Sequence, residues 1–330
     1  MDMNRRTSRR IAAITISLLL AVMLGGCASR PPWPAAAEQS GLDLEQRVIL
    51  DQVPFYAQEL YQCGPASLAM MLNAQGLSTR PEQLKDLVYI PEREGSLQVE
   101  LVAAGRSHGM VVYQLDGSLR SLLSEVAAGH PVMVMQNLRF SWWPQWHFAV
   151  VTGFDRQKRN VILNTDTRER HEEAVEVFMA TWGRANNWAV VMLPPTQLPA
   201  TADPIDYLMA VNDLETTAHI KTARQAYSTA ENAWPDQPAA ILGQGNIAWR
   251  AGNWPEATRH YLRLTTRFPG LAAGWNNLAQ SLAKQGCEPA AQTAAWCAHG
   301  LKPDRFSPDL PDMPASVAAE CPSVTCPLPD

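Results

Sequence analysis

The sequence predicts an α+β domain, helices first and a mostly antiparallel sheet after them, followed by an all-α solenoid of paired helices. Three observations carry this. The chain has 330 residues, more than the roughly 250 to 300 that one hydrophobic core usually holds, so two folded units are expected. Near Pro131 the apolar pattern changes from helical spacing to short valine-rich runs bounded by polar, Gly or Pro residues, the signature of strands. Beyond a Pro-rich passage at 193–204, small and aromatic residues recur every 34 positions: Gly252 and Gly286; Ala223, Ala257 and Ala291; Tyr227 and Tyr261; Pro235, Pro269 and Pro303.

The N-terminus belongs to neither unit. Arg5, Arg6, Arg9 and Arg10 precede the apolar stretch Ile11 to Met23, which has the layout of a secretory signal and falls short of the roughly 20 residues that span a bilayer. The Leu24-Gly25-Gly26-Cys27 that follows resembles the bacterial lipobox, in which the cysteine thiol receives diacylglycerol and becomes an acylated N-terminus. Residues 1–26 are then removed, and 27–47, with Pro31, Pro32, Pro34 and an Ala-rich run, form a lipidated tether. Two or three acyl chains, palmitate among them, anchor firmly. Ala28 after the cysteine implies, by the same resemblance, an outer-membrane lipoprotein facing the periplasm. Loss of residues 1–26 takes away four arginines and one aspartate and moves the formal charge from −5 to −8, which excludes the clustered basic charge of a nucleic-acid binder.

The first domain is expected over 48–195. Helices are predicted at 63–75, 81–88, around 96–108 and at 119–128, and strands at 131–137, 147–153, 161–164 and 188–193, with polar 155–160 as a hairpin turn. The 34-residue offsets over 205–303 resemble the tetratricopeptide repeat, whose helix pairs pack through small residues and end on proline. Ala218 stands where the later units have glycine. Three pairs are about the minimum that can bury a shared face. The resemblance implies a protein partner.

Cysteine use points to chemistry. Six cysteines occur: Cys27 in the lipobox, Cys63 alone, and Cys287, Cys297, Cys321 and Cys326 near the end, the last two in a Pro-containing tail at 304–330. In an oxidising compartment the last four pair in one of three ways, leaving Cys63 as the odd thiol. It starts an apolar helix, "CGPASLAMMLNAQG", with Pro65 in the first turn and Gly76 as terminator. At that end the helix dipole is expected to lower the thiol pKa and favour thiolate.

A thiol nucleophile needs a base. Of seven histidines, His219, His260 and His299 lie in the repeats, His108 and His130 in loops, and His171 after a charged run. His147 alone opens a predicted strand, in "WHFAVVTGFD", a frame rigid enough to hold an imidazole. The order of cysteine on a helix, histidine at a strand start and a polar residue ending the next strand is that of papain-like cysteine peptidases. The segment "VPFYAQELYQCGPASLAMMLNAQG" resembles the bacteriocin-processing, double-glycine branch, cysteine-peptidase family 39, over roughly 48–194.

The resemblance implies Cys63 as nucleophile, His147 as general base and later acid, and Gln58 as the oxyanion-binding glutamine, five residues before the cysteine where many members carry it six before, with Gln62 as its rival. The third member is Asn164, slightly preferred on the alignment of "NVILNTDT", or Asp166; the family's usual Asp-Pro is absent. The aromatic stretch "FSWWPQWHF" at 140–148 lines a cleft or packs on the sheet edge, and loop 89–100 receives no role. No zinc spacing, phosphate loop or serine elbow occurs, so neither metal nor organic cofactor is implied. Hydrolysis, acyl transfer and a catalytically inactive protein-binding scaffold all remain compatible with these residues.

Overall fold

The computed structural model describes residues 45–58, 62–310 and 320–326. The expected secretory signal, the expected lipobox with Cys27 and most of the expected tether lie outside them. Four helices open the first domain: α1 (Cys63–Ala74), α2 (Pro81–Val88), α3 (Gln98–Ser107) and α4 (Leu119–Ala127). The strands are β1 (Arg47–Ile49), β2 (Val111–Gln114), β3 (Val132–Asn137), β4 (Trp146–Asp155), β5 (Asn160–Thr165), β6 (Arg168–Ala174) and β7 (Ala189–Leu193), with helix α5 (Val175–Gly183) between the last two. All pairings are antiparallel, in the order β2-β7-β3-β4-β5-β6. β1 joins β4 beyond the stretch paired with β3, and a Cβ at Gly153 would overlap the Val48 carbonyl oxygen, so glycine permits that approach.

β1, β2, β6 and α5 were not expected from the sequence. β6 reads RERHEEA, with no apolar face to announce it. It is an edge strand, and charge along an edge prevents pairing with another chain. β1 and β2 are three and four residues long, too short to display a period. α1 runs through the core with Gly64 to Leu72 all buried, as its nearly continuous apolar sequence requires. It stops where Gly76 takes φ +84°, the left-handed conformation that favours glycine.

The repeats form three helix pairs: α6 (Pro204–Thr216) with α7 (Ile220–Ala233), α8 (Pro238–Arg250) with α9 (Trp254–Arg267), and α10 (Ala272–Ala283) with α11 (Glu288–Leu301). A Cβ on Gly243 would overlap the Tyr227 ring and one on Gly245 the Tyr261 ring, so each tyrosine lies on a glycine of the neighbouring helix. The turns inside the pairs share one left-handed residue: Ala218 at φ 68°, Gly252 at 71° and Gly286 at 72°. Cys287 pairs with Cys321 and Cys297 with Cys326, tying residues 320–326 to α11 and its N-terminus.

The two units share apolar core. Tyr207, Leu208, Val211 and Leu214 of α6 belong to the same buried cluster as the strands of the first domain. Glu125, fully buried, holds the intervening passage: it accepts from the Thr201 N–H at 2.7 Å, the Thr201 hydroxyl at 2.6 Å, the Ala200 N–H at 3.1 Å and His130 Nδ1 at 2.7 Å. Burial alone would push its carboxyl pKa up, but the bonds from His130, Thr201 and Ala200 together hold it below the usual range.

Candidate active site

Antiparallel pairing places the site. Val150 lies opposite Asn164, so the residues that end β5 come level with the start of β4, where His147 sits. α1 brings its N-terminus to the same end of the sheet. A cleft of about 660 Å³ opens there, lined by Gln58, Cys63, His147 and Asp166, with Gly95 and Ser96 on one wall and Trp146 on another. Gln62 does not line it.

Cys63 is the one free cysteine among the described residues and is half-buried. Its thiol pKa is raised above the ordinary value, first by burial, which outweighs backbone hydrogen bonds from Phe148, Gly64 and Cys63 itself; the Asp166 charge adds to the rise. This corrects the expected thiolate. A single helix end offers a partial charge, whereas removing the sulfur from water penalises the whole anion. His147 is buried at 6% exposure, and its pKa is lowered by burial, against the pull of Asp166 and with the push of Arg168. Both groups are therefore favoured in their neutral forms at pH 7.

His147 Nε2 lies 2.8 Å from Thr165 Oγ1 and 3.4 Å from Asp166 Oδ1. Asn164 does not face the ring: its Oδ1 accepts the Arg170 N–H at 3.0 Å and it is absent from the cleft wall. Asp166, the alternative third member, would share the face of Asn164 if β5 continued. β5 ends at Thr165 instead, and Asp166 opens a two-residue hairpin turn at φ 48°, a left-handed conformation that aspartate tolerates better than most residues. Its other oxygen accepts from Arg168 at 3.0 Å, and its backbone carbonyl accepts the Gln58 N–H at 2.8 Å.

Gln58 is 8% exposed; its Nε2 donates to the Phe148 carbonyl at 3.4 Å, and its Oε1 is buried without a partner. Ser96 Oγ is also buried without a partner, against Gly64, where a Cβ would overlap it. The loop at 93–97, given no role from the sequence, thus forms a wall of the cleft. The aromatic stretch divides: Trp146 lines the cleft, Phe148 borders it from the core and stands edge-on to Trp188, and Phe140 and Trp142 are exposed and stacked. Thr165 was missed because it sits between the two residues that were weighed. Its signal was the Asp-Thr turn dipeptide between two strands.

Among the described residues, no group of three or more His, Cys, Asp or Glu side chains is placed to hold a metal ion, and no helix is long and apolar enough to cross a membrane. Residues 50–190 match the model of the Peptidase_C39 like family, and 208–272 and 242–295 match a tetratricopeptide repeat. No curated protein matches the chain. Among solved structures, a C39-like peptidase from Bacillus anthracis is 19% identical, covering 45% of this chain and 98% of that one at a TM-score of 0.38. The peptidase domain of Streptococcus ComA, a bi-functional ABC transporter of a quorum-sensing pathway, is 18% identical, covering 46% and 99% at 0.35. A double-glycine-motif protease from an AMS/PCAT transporter, solved with its leader peptide, is 20% identical, covering 46% and 99% at 0.33. The matching segments account for both folded units, so the chain joins a Peptidase_C39-like domain to tetratricopeptide repeats.

Proposed function

We propose that this protein is a cysteine peptidase, anchored by lipid at Cys27 to the outer membrane and facing the periplasm, whose repeats hold a protein partner. The observation that carries the enzymatic part is the convergence of Cys63, Gln58, His147 and Asp166 on one cleft. Cys63 and His147 line the same cleft together with Phe148, the residue next to the base, so nucleophile and base belong to one small neighbourhood.

Because thiol and imidazole are both favoured neutral, proton transfer accompanies attack. His147 takes the Cys63 proton as sulfur bonds to the amide carbonyl, and the carbonyl π electrons pass to oxygen. That oxyanion is stabilised by the Gln58 side-chain amide and the Cys63 N–H. The imidazolium, stabilised by Asp166, then protonates the leaving amine as the C–N bond breaks. Water, deprotonated by His147, releases the acyl group, and the thiol regains its proton. Of the two residues weighed for the third role, Asp166 fits this reading and Asn164 does not.

A peptide-library cleavage profile tests the proposal. The mature chain cleaves a defined subset of peptides and Cys63→Ala cleaves none; equal product from both overturns it. A second reading, an inactive scaffold that docks partners through its repeats, draws on the raised Cys63 pKa, and an uncleaved library favours it. Metabolic labelling with palmitate tests the anchor, with label expected in the native chain and lost in Cys27→Ala. A native chain without label removes that part alone.

A further inference from the structure

Thr165 Oγ1 makes the shortest polar contact to the His147 ring, 2.8 Å from Nε2, and Thr165 is 4% exposed. We propose that Thr165 is a positioning residue that, together with Asp166, fixes the His147 tautomer: its hydroxyl oxygen accepts the Nε2–H, so that Nδ1 carries the lone pair that takes the Cys63 proton. For its catalytic consequence this rests on the peptidase reading above; for the tautomer it does not.

The direction of the hydrogen bond follows from the second neighbour. Asp166 Oδ1 stands 3.4 Å from the same nitrogen. Were Nε2 unprotonated, its lone pair would face a carboxylate, and only the Thr165 hydroxyl hydrogen would offset the repulsion. With Nε2 protonated, the N–H points among two oxygen acceptors and both contacts are favourable. No hydrogen bond to Nδ1 competes among the described residues.

Burial decides how the work divides between Thr165 and Asp166. The Asp166 side chain is 43% exposed and shares its charge with Arg168 at 3.0 Å, so water and a neighbouring cation both weaken its hold on the ring. Thr165 is shut away from solvent, where a hydrogen bond is stronger and its geometry better fixed. The neutral hydroxyl sets the direction of the ring, and the carboxylate favours the imidazolium once it forms. The turn that holds them is fastened on two sides: Thr165 pairs with Arg168 across the hairpin, and the Gln58 N–H binds the Asp166 carbonyl. One hairpin turn therefore places both the base and the residue assigned to the oxyanion.

The test is ¹⁵N NMR of the histidine-labelled mature chain, with the His147 resonances assigned by their loss in His147→Gln, alongside acylation of Cys63 by an activated peptide ester. In the native chain the neutral ring is expected to be protonated at Nε2. Thr165→Val, which keeps the shape and removes the hydroxyl, is expected to mix the tautomers and slow acylation about tenfold. Thr165→Ser is expected to restore both. A native ring protonated at Nδ1, or a Thr165→Val ring with unchanged tautomer, overturns the assignment. If the tautomer depends on Thr165 but acylation is indifferent to His147, the assignment stands and the peptidase reading fails.

Discussion

The first domain and the repeats treat buried polar atoms differently. In the repeats they are mostly paired: Thr258 donates to Ser281 at 2.8 Å, Gln285 to Thr258 at 2.8 Å, Tyr261 to Asn246 at 2.8 Å and Tyr227 to Glu215 at 2.7 Å. Among the described residues, the Tyr207 hydroxyl is the exception there, while Gln58 Oε1, Ser67 Oγ, Ser96 Oγ, Ser124 Oγ and Thr152 Oγ1 of the first domain have no partner. Each such group costs about 1–3 kcal/mol. The turns of the solenoid recur every 34 residues, at Ala218, Gly252 and Gly286, whereas these side-chain bonds are particular to each helix pair. Of the unpaired atoms, Gln58 Oε1 and Ser96 Oγ belong to residues that line the cleft.

Substitutions that break or sharpen this contrast run from chemistry to packing. Gln58→Ala is expected to slow peptide cleavage about 10²- to 10³-fold, the effect of losing one oxyanion donor, without lowering the thermal midpoint; unaltered cleavage kinetics assigns the oxyanion elsewhere. Breaking the Cys287–Cys321 bond by Cys287→Ser and Cys321→Ser together is expected to cost the repeats about 2–4 kcal/mol in denaturant unfolding. Cleavage in native buffer should survive, because the bond lies far along the chain from the cleft; loss of both would show that the units act as one.

Gly243→Ala sets a methyl into the Tyr227 ring and is expected to destabilise the chain by about 1–3 kcal/mol. A smaller loss in calorimetry would mean that the helix pair can spread. The mildest change is Ala218→Gly. Ala218 occupies φ 68°, which costs a residue with a Cβ about 1–2 kcal/mol, partly offset because glycine is more disordered when unfolded. A net gain of about 1 kcal/mol or less is expected, and a lower melting temperature would contradict it.

How much was legible follows from what each element displays. α1 and α2 carry a cap, a terminator or a long apolar run, and fall within about two residues of expectation. β3, β4, β5 and β7 are buried strands and announce themselves by valine. β6 hides because its fitness lies in being an unattractive edge. That Cys63, His147 and Gln58 would meet, as they do in lining one cleft, was readable because each stands at a special place in a recognisable pattern. Thr165 and Asp166 were not resolved, because whether a strand ends one residue sooner is decided by the turn. That single position changes which side chains meet the imidazole. The Cys63 pKa was misjudged for a related reason: a helix end is visible in a sequence, and the depth at which it is buried is not.

The central claim is that Cys63 and His147 act as one unit on a peptide carbonyl. Its most direct test is the rate at which an activated peptide ester acylates Cys63, followed by intact-protein mass spectrometry in native chain, His147→Ala and Cys63→Ala. The native chain is expected to form the adduct at neutral pH, His147→Ala about 10²- to 10⁴-fold more slowly, and Cys63→Ala not at all. With iodoacetamide, which needs thiolate already formed, the native rate should keep climbing above the ordinary thiol range, since burial raises that pKa. An adduct that forms no faster than on a free cysteine peptide, at a rate His147→Ala leaves unchanged, would contradict the account.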